Sequence, residues 1–286
     1  MKGIIKAGII SSVLAFTATA NAGDIVIATG SEGGGYEYIG RNIGVNIITQ
    51  ARKKKLAGLG VEVINTTGSK ENLELFSDGE AQVVLTQADA LAVYPPTRPY
   101  KFKESHVEYV YWFANKKNKL YDLEDIEGAK DVLMVLVDGS GAQVTMENFV
   151  KEDSGYKINL DTSILADDLE DAMDIVAAGV YEGKKVAGLL HVTKKGGFSS
   201  ELAKDFKKHI VVGSATDGDF NDSKVGDIDL YHSCEIENDG LRGFSSSNRF
   251  SDNETICMKA LVLYSKDDFD KKVYKVVRKG ITKALR

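Results

Sequence analysis

The sequence predicts an α/β protein built from two lobes of similar plan, and two observations lead to that prediction. Apolar runs of strand length alternate with segments of helical periodicity, first over residues 24–93 and again from residue 131 onward. Strand, helix and strand in succession indicate parallel pairing, with helices covering the sheet. A chain of 286 residues is also near the size at which one hydrophobic core tends to divide into two.

The first lobe is predicted from short apolar runs and one clear helical stripe. Its strands are predicted at residues 24–28, 61–65, 81–85 and 107–114. A helix follows the first strand, because apolar side chains recur on one face at Tyr36, Ile39, Ile43 and Ile47. A shorter helix is predicted at residues 70–76. All three prolines lie within residues 94–100, where they interrupt regular structure.

The second lobe repeats this order, and the chain then ends in a strand and a helix. Strands are predicted at residues 131–137, 185–192 and 259–265, helices at residues 141–153 and 167–179, and a loop at residues 217–229. The last helix is predicted to begin near Asp267 and Asp268. Its apolar stripe contains Phe269, Val273, Val277, Ile281 and Leu285.

Residues 1–22 have the layout of a secretory signal peptide. Lys2 and Lys6 flank the start of an apolar run, which ends in the small residues Ala20, Asn21 and Ala22. The sequence therefore predicts export to the periplasm. Cleavage would make the formal net charge more negative than −6, because both lysines leave. A mildly acidic chain with one short basic block does not favour a nucleic-acid partner.

The two cysteines, Cys234 and Cys257, are even in number in a chain predicted to be exported, which favours a disulfide over two separate buried thiols. Two cysteines and four scattered histidines offer little material for a zinc site. Residues 217–228 are similar to a calcium loop, but Asp222 and Ile228 replace its glycine and glutamate, so a solvated acidic loop is expected. No cofactor or metal is predicted.

The loop at residues 28–40, ATGSEGGGYEYIG, joins the first strand to the first helix. Tyr36 stands where a phosphate-binding P-loop needs lysine, and Tyr38 where a dinucleotide fingerprint needs its third glycine. Both nucleotide motifs are therefore excluded. Free N–H groups at a helix start, with Ser31 and Tyr36 beside them, suit a small anion or carboxylate. The alternative is a tight turn with no ligand.

Two further Gly/Ser-rich helix starts make the ligand interpretation stronger. Residues 66–72 follow the second strand, and residues 138–145 follow the first strand of the second lobe. Ligands of open α/β sheets bind beyond the carboxyl ends of the strands. Such loops from two facing lobes are expected to meet at one cleft.

The pattern TGS-x-GG-x-Y, followed by TGS-x-x-N and then Q-x-D, resembles one group of proteins over most of the chain. It is similar to the TRAP-associated extracytoplasmic (TAXI) solute receptors, within the type II periplasmic binding proteins. The resemblance implies a two-lobed receptor, each lobe a mainly parallel sheet flanked by helices. Such a receptor closes around a small organic solute, usually a carboxylate or amino acid. It then passes this solute to TRAP-type permease subunits.

The resemblance also assigns contact residues and boundaries. Lobe I would comprise residues 23–114 and 232–286, lobe II residues 115–231, and hinges are expected near residues 113–118 and 231–234. The predicted solute contacts are Gly30, Ser31, Gly34, Gly35, Tyr36, Gly68, Ser69, Asn72, Gln87 and Asp89 in the first lobe, with Ser140, Gly141 and Thr145 in the second. Asn72 has the alternative of a surface or capping role, and Asp89 that of a helix N-cap.

The resemblance is lost over residues 214–254, a segment that should form part of the cleft wall on the side of the second lobe. Arg242 and Arg249 could each bind a carboxylate there, or be surface charges. The predicted function is a monomeric periplasmic receptor, not an enzyme, for a small and anionic organic solute. The alternatives are a sensing module with a membrane partner, or an exported enzyme, for which no nucleophile–base arrangement is visible in the sequence.

Overall fold

The computed structural model describes residues 24–56, 58–220, 223–248 and 253–286. The predicted signal peptide and Arg249 therefore lie outside the described residues. Within them, eleven strands join in one mixed sheet, and two short strands form a separate hairpin. The α/β prediction is confirmed. None of the described helices is long and apolar enough to cross a membrane.

The first part of the chain forms the parallel edge of the sheet. Its strands are β1 (Ile25–Ala28), β2 (Val61–Ile64), β3 (Val83–Gln87) and the long β4 (Lys101–Asn115), and its helices are α1 (Gly35–Lys53), α2 (Ser69–Asp78) and α3 (Ala90–Val93). β1 lies between β2 and β3 and is parallel to both. The predicted strand–helix–strand order is found, and each helix begins directly after the loop that follows a strand.

The second part repeats the plan with more short elements. Its strands are β5 (Val132–Val137), β6 (Ile164–Ala166), β7 (Val180–Tyr181), β8 (Lys184–Lys194), β9 (Ile210–Gly213), β10 (Lys224–Val225), β11 (Ile228–Asp229) and β12 (His232–Ile236). Its helices are α4 (Gly141–Glu152), α5 (Lys157–Asp161), α6 (Leu169–Ala178) and α7 (Ser200–Phe206). β5 is parallel to β6 and β8.

Two long antiparallel strands connect the parallel groups, β4 and β13 (Asn253–Tyr264). β13 pairs with β3 on one side and with the first half of β4 on the other. At Glu108, β4 exchanges β13 for β8 and continues into the second lobe. The main path of the sheet is β2-β1-β3-β13-β4-β8-β5-β6. The two lobes are thus joined by one continuous sheet, at the point where β4 changes its pairing partner.

The last helix, α8 (Lys271–Ala284), packs against α1 and returns the chain to the first lobe. Val277 and Ile281 of the predicted stripe are fully buried. The helix begins later than predicted, because Asp270 caps it by accepting from the N–H groups of Lys272 and Val273 at 2.7 and 2.9 Å. Asp268 instead pairs with Arg98.

The described parts of the predicted loop, residues 217–220 and 223–229, contain regular structure. They contain one turn of 3-10 helix, Gly218–Phe220, and the hairpin of β10 and β11. A two-residue turn joins the two strands, and Gly226 has a φ of 58°, which glycine adopts without strain. Phe220 anchors the segment by stacking on Phe149 with 4.1 Å between ring centroids.

The predicted disulfide between Cys234 and Cys257 is confirmed, with 5.8 Å between the Cα atoms. It joins β12 to β13, which are antiparallel neighbours. Residue 232, within the predicted second hinge segment, lies opposite Cys257 on β13. The disulfide therefore ties down the segment that leads back from the second lobe to the first.

Candidate functional site

A cavity of about 770 Å³ lies between the two lobes. Its lining combines the starts of α1, α2 and α4 with one face of β4 and β8. Ten of the thirteen predicted contacts line it: Gly30, Ser31, Gly34, Gly35, Tyr36, Gly68, Ser69, Gln87, Ser140 and Gly141. The expectation that the three helix starts meet at one cleft therefore agrees with where the structure places them.

The N-cap residues of the three helices make no side-chain capping hydrogen bond, which leaves the first N–H groups of each helix available to a ligand. The N–H groups just before the helices are already bonded, because Glu37, Glu71 and Gln143 accept from those of Gly33, Thr67 and Gly139. The N-cap residues are Gly34, Gly68 and Ser140, and none of them accepts a capping hydrogen bond through a side chain. Helix N-termini carry partial positive charge and unsatisfied donors, so they favour anions. Three such termini at one cavity form a site suited to a carboxylate.

Gln87 and Ser140 bring unpartnered polar atoms to the same cavity from opposite lobes. The Oε1 atom of Gln87 and the Oγ atom of Ser140 are buried without a hydrogen-bond partner among the described residues. Gln87 lies directly against Gly141, where an added Cβ would be 2.5 Å from Oε1. Since buried polar atoms are normally satisfied, these two point to a ligand or bound water.

Glu108 forms the centre of a polar cluster at the cavity, and the cluster was not predicted from the sequence. Its Oε2 atom accepts a hydrogen bond from the Tyr36 hydroxyl at 3.0 Å, and its Oε1 atom is 3.3 Å from His106 Nε2. Ser105 Oγ lies 3.1 Å from the other ring nitrogen of His106. Burial, and then the nearby Glu108 carboxylate, raise the pKa of Tyr36 well above its usual value.

A β-bulge explains why neighbouring side chains of β4 reach the same cavity. Ala260 of β13 pairs with His106 and Leu261 pairs with Glu104, which leaves Ser105 as the extra residue. Bulges re-aim side chains and are common beside functional sites. The polar residues at the start of this otherwise apolar strand were the available sequence signal. The bulge itself has no signature in the sequence.

Asn72 does not line the cavity and instead holds α2 against the sheet. Its side-chain nitrogen donates to the carbonyls of Thr29 and of Leu85, the latter at 2.7 Å, and its oxygen accepts from Thr66 Oγ1 at 2.8 Å. Asn72 is fully buried. Neither a surface position nor a helix cap describes it, because its amide joins two strands to a helix.

Asp89 and Thr145 also lie outside the cavity lining, where they bond each other across the two lobes. Thr145 Oγ1 donates to Asp89 Oδ2 at 2.6 Å, and the Tyr231 hydroxyl donates to the same oxygen at 3.1 Å. All three side chains are buried. Burial raises the pKa of Asp89 to about 6, against 3.8 for an unperturbed aspartate.

The remaining candidates lie elsewhere. Arg242 is exposed and does not line the cavity. Side-chain atoms of His232, Cys234 and Cys257 approach within 4.8 Å of one another, the spacing of a metal site. Both sulfurs are joined in the disulfide, so they are not available as thiolate ligands.

The fold is that of the two-lobed periplasmic binding proteins. An ABC-type phosphate transport receptor from Vibrio cholerae is similar in structure, with a TM-score of 0.50 and 11% identity over 90% of this chain and 93% of that one. XAC2383 from Xanthomonas citri, solved bound to ATP, has a TM-score of 0.52 and 9% identity over 90% and 82%. Identities this low support the fold alone.

Residues 27–183 match the model of the NMT1-like family, and the chain belongs to that family. The match covers the N-terminal part of the first lobe and the strand–helix units of the second up to β7, and it does not include β13 and α8. No curated protein sequence matches the chain.

Proposed function

We propose that this protein is an extracytoplasmic receptor that captures a small organic solute carrying a carboxylate in the cavity between its lobes. One observation carries the proposal: three uncapped helix starts and the unpartnered Gln87 and Ser140 meet at that cavity. The fold and the family support a binding function. The ten predicted contacts that line the cavity are proposed to touch the solute. Asn72, Asp89 and Thr145 are proposed to hold the surrounding elements in place without touching it.

Capture is proposed to involve closure of the lobes. β4 and β13 are the long strands that run through both lobes, and β4 changes partners at Glu108. Bending near this point would move the α4 start with Ser140 and Gly141 towards the α1 and α2 starts. This point lies before the hinge predicted at residues 113–118, so we place the bend of β4 at Glu108 in its stead. The boundary near residue 231 and a monomeric receptor remain part of this proposal.

The partner is proposed to be the permease of a TRAP-type transporter, as the TAXI resemblance implies. A sensing module would keep the same cavity but signal to a membrane kinase. The neighbouring genes distinguish these alternatives. A gene for a large membrane permease beside this one supports transport, and a histidine-kinase gene in its place supports sensing.

A hydrolase is the second candidate. Ser105 Oγ lies 3.1 Å from Nδ1 of His106, and Nε2 of the same ring lies 3.3 Å from the Glu108 carboxylate, the order of a Ser–His–acid triad. A fluorophosphonate probe separates the candidates, because it labels an activated serine covalently. The receptor proposal predicts no label on Ser105 in intact-mass and peptide analysis. Stoichiometric labelling that is lost in Ser105→Ala would favour the hydrolase.

A thermal-shift screen tests the receptor proposal directly. Carboxylates, amino acids and sugar acids would be added to the purified protein one at a time. A solute at about 100 times its Kd should stabilise the protein by roughly 2.7 kcal/mol. Ser140→Leu should abolish the shift by filling the α4 start. Ser154→Leu, the same substitution at an exposed serine outside the cavity lining, should preserve it. Equal shifts in both variants would contradict the placement of the site.

A further inference from the structure

Glu108 is a buried negative charge in a cavity whose other recognition groups favour anions. Its residue is 7% exposed, and it is the single carboxylate among the described residues that line the cavity. Each carboxylate oxygen of Glu108 has one partner: Tyr36 contacts Oε2 and His106 contacts Oε1. A carboxylate has about four lone-pair sites, so acceptor capacity remains. A buried charge is costly unless it is paired and hydrogen-bonded, so a further donor supplied by a ligand would be favourable at Glu108.

Apart from His106, whose ring nitrogen lies 3.3 Å from Glu108, the lining offers little positive charge to balance this carboxylate. No arginine occurs among the described lining residues, and Lys194 is exposed. His191 is held neutral near pH 7, because burial lowers its pKa to about 4. Asp89 adds a second buried carboxylate close enough to repel Glu108. A cation brought by the solute would meet favourable charge at Glu108, whereas a second anionic group would meet repulsion.

The cavity therefore has a partially positive region at the three helix starts and a negative region at Glu108. The starts of α1, α2 and α4 supply donors and partial positive charge, and Glu108 on β4 supplies negative charge. We propose that Glu108 binds a protonated amine of the solute, while Tyr36 and His106 hold its carboxylate in place. The solute is then an amino acid, with its carboxylate at the helix starts. This inference rests on the proposed receptor function and narrows the solute class within it.

Calorimetric titration with matched pairs of acids tests the amine requirement. Each pair differs by the α-amine alone: alanine and propanoate, aspartate and succinate, glutamate and glutarate, leucine and 4-methylpentanoate, phenylalanine and 3-phenylpropanoate. We expect at least one amino acid to bind 100-fold or more tightly than its deaminated partner. Loss of a partner from a buried charge has an effect of this size, about 2.8 kcal/mol at about 1.4 kcal/mol per tenfold.

Two variants assign that preference to Glu108. Glu108→Gln should reduce the preference for the amine to less than tenfold. Glu104→Gln makes the same change four residues earlier on β4, at an exposed residue paired with Lys259, and should leave the preference unchanged. Tyr36→Phe removes the hydrogen bond to Glu108 while keeping the ring. It should weaken the binding of amino acids more than the binding of their deaminated partners. It provides the second variant if Glu108→Gln does not fold.

The outcomes separate this inference from the function on which it rests. If deaminated acids bind as tightly as their amino acids, or Glu108→Gln keeps the full preference, the inference is wrong and a carboxylate receptor still stands. If none of the ten acids binds but a sugar acid or another carboxylate gives a thermal shift, the inference is wrong and the proposed function stands. If no carboxylate binds in either measurement, both are contradicted. A lost preference in Glu108→Gln with an unchanged one in Glu104→Gln supports both.

Discussion

Gln87 and Gly141 meet where the two lobes approach each other at the cavity. An added Cβ at position 141 would lie 2.5 Å from Oε1 and 2.7 Å from Nε2 of Gln87, so the amide would have to move. Gln87 also donates its backbone N–H to Ser69 Oγ at 3.1 Å, which fixes its backbone beside the α2 start. The position of this one side chain therefore depends on glycine at 141.

Gly141→Ala is predicted to weaken solute binding about tenfold, since the displaced Gln87 amide loses a recognition hydrogen bond of roughly 1.4 kcal/mol. Calorimetric titration with the solute found in the thermal-shift screen measures the change. Gly218→Ala is the matched control, because nothing lies within 4 Å of an added Cβ there. Unchanged affinity in Gly141→Ala would contradict the assigned role of Gln87.

Asp89 is predicted to make stability depend on pH in an unusual direction. Its folded pKa of about 6 lies above the unperturbed 3.8. The folded state therefore binds the proton more tightly, and its stabilising contribution is lost as pH rises from about 4 through 6. Asp89→Asn cannot lose that proton. Its unfolding free energy should thus improve relative to the unsubstituted protein by roughly 3 kcal/mol between those pH values, at about 1.4 kcal/mol per pKa unit.

Urea unfolding of both proteins at about pH 4 and pH 7 measures that difference. Other titrating groups cancel in the comparison, because both proteins contain them. A free-energy difference that stays constant between the two pH values would show that Asp89 titrates normally in the folded state.

Among the secondary-structure elements, the strands and helices with strong periodicity were predictable, whereas those shaped by tertiary contacts were not. The stripe of α8 and the strand–helix units of both lobes follow from local pattern. The late start of α8 depends on Asp270, since Asp268 is taken by Arg98 from a distant segment. The hairpin of β10 and β11 has strands of two residues each, too short for a periodicity to be read.

The residues of the candidate site likewise fall into two groups, those that a local sequence pattern predicts and those that distant contacts place. Glycine, serine and glutamine at helix starts are local signals, so most of the predicted contacts line the cavity. Ser105, His106 and Glu108 reach it through a bulge defined by pairing with β13, some 150 residues away in sequence, which no local pattern reveals. Asn72 and Asp89 matched a motif. Their side chains hold elements together, a role that depends on neighbours from distant segments.

The disulfide joins β12 to β13 and is predicted to contribute about 2–4 kcal/mol to the unfolding free energy, chiefly by restricting the unfolded chain. The double variant Cys234→Ala/Cys257→Ala should lower the urea midpoint accordingly. Reductant should lower the midpoint of the unsubstituted protein and leave the double variant unaffected. A midpoint that does not respond to reductant in either protein would contradict this contribution.

Across the whole molecule, α4 makes three polar contacts with the first lobe beside the cavity. Besides the Thr145–Asp89 bond, the Tyr94 hydroxyl donates to Glu147 at 2.5 Å and Lys151 Nζ donates to the Ala92 carbonyl at 2.8 Å. These contacts hold the α4 start over the other two helix starts. They are the bonds that an open form of the receptor would have to break.

Tyr94→Phe is therefore predicted to weaken solute binding by roughly 0.5–1.5 kcal/mol, the net value of one hydrogen bond. The mechanism is a less stable closed form, so the radius of gyration from X-ray scattering should fall less on adding solute than in the unsubstituted protein. Tyr181→Phe, at an exposed tyrosine of β7, is the control. Equal affinities in all three proteins would contradict a contribution of the Tyr94–Glu147 bond to the closed form.

Mass spectrometry of the gently denatured, purified protein gives the most direct test of a receptor that holds a small solute between its lobes. The proposed function predicts a released organic solute that is chemically unchanged, and its loss from protein carrying Ser140→Leu. A solute-free protein that converts an added compound to product would contradict it.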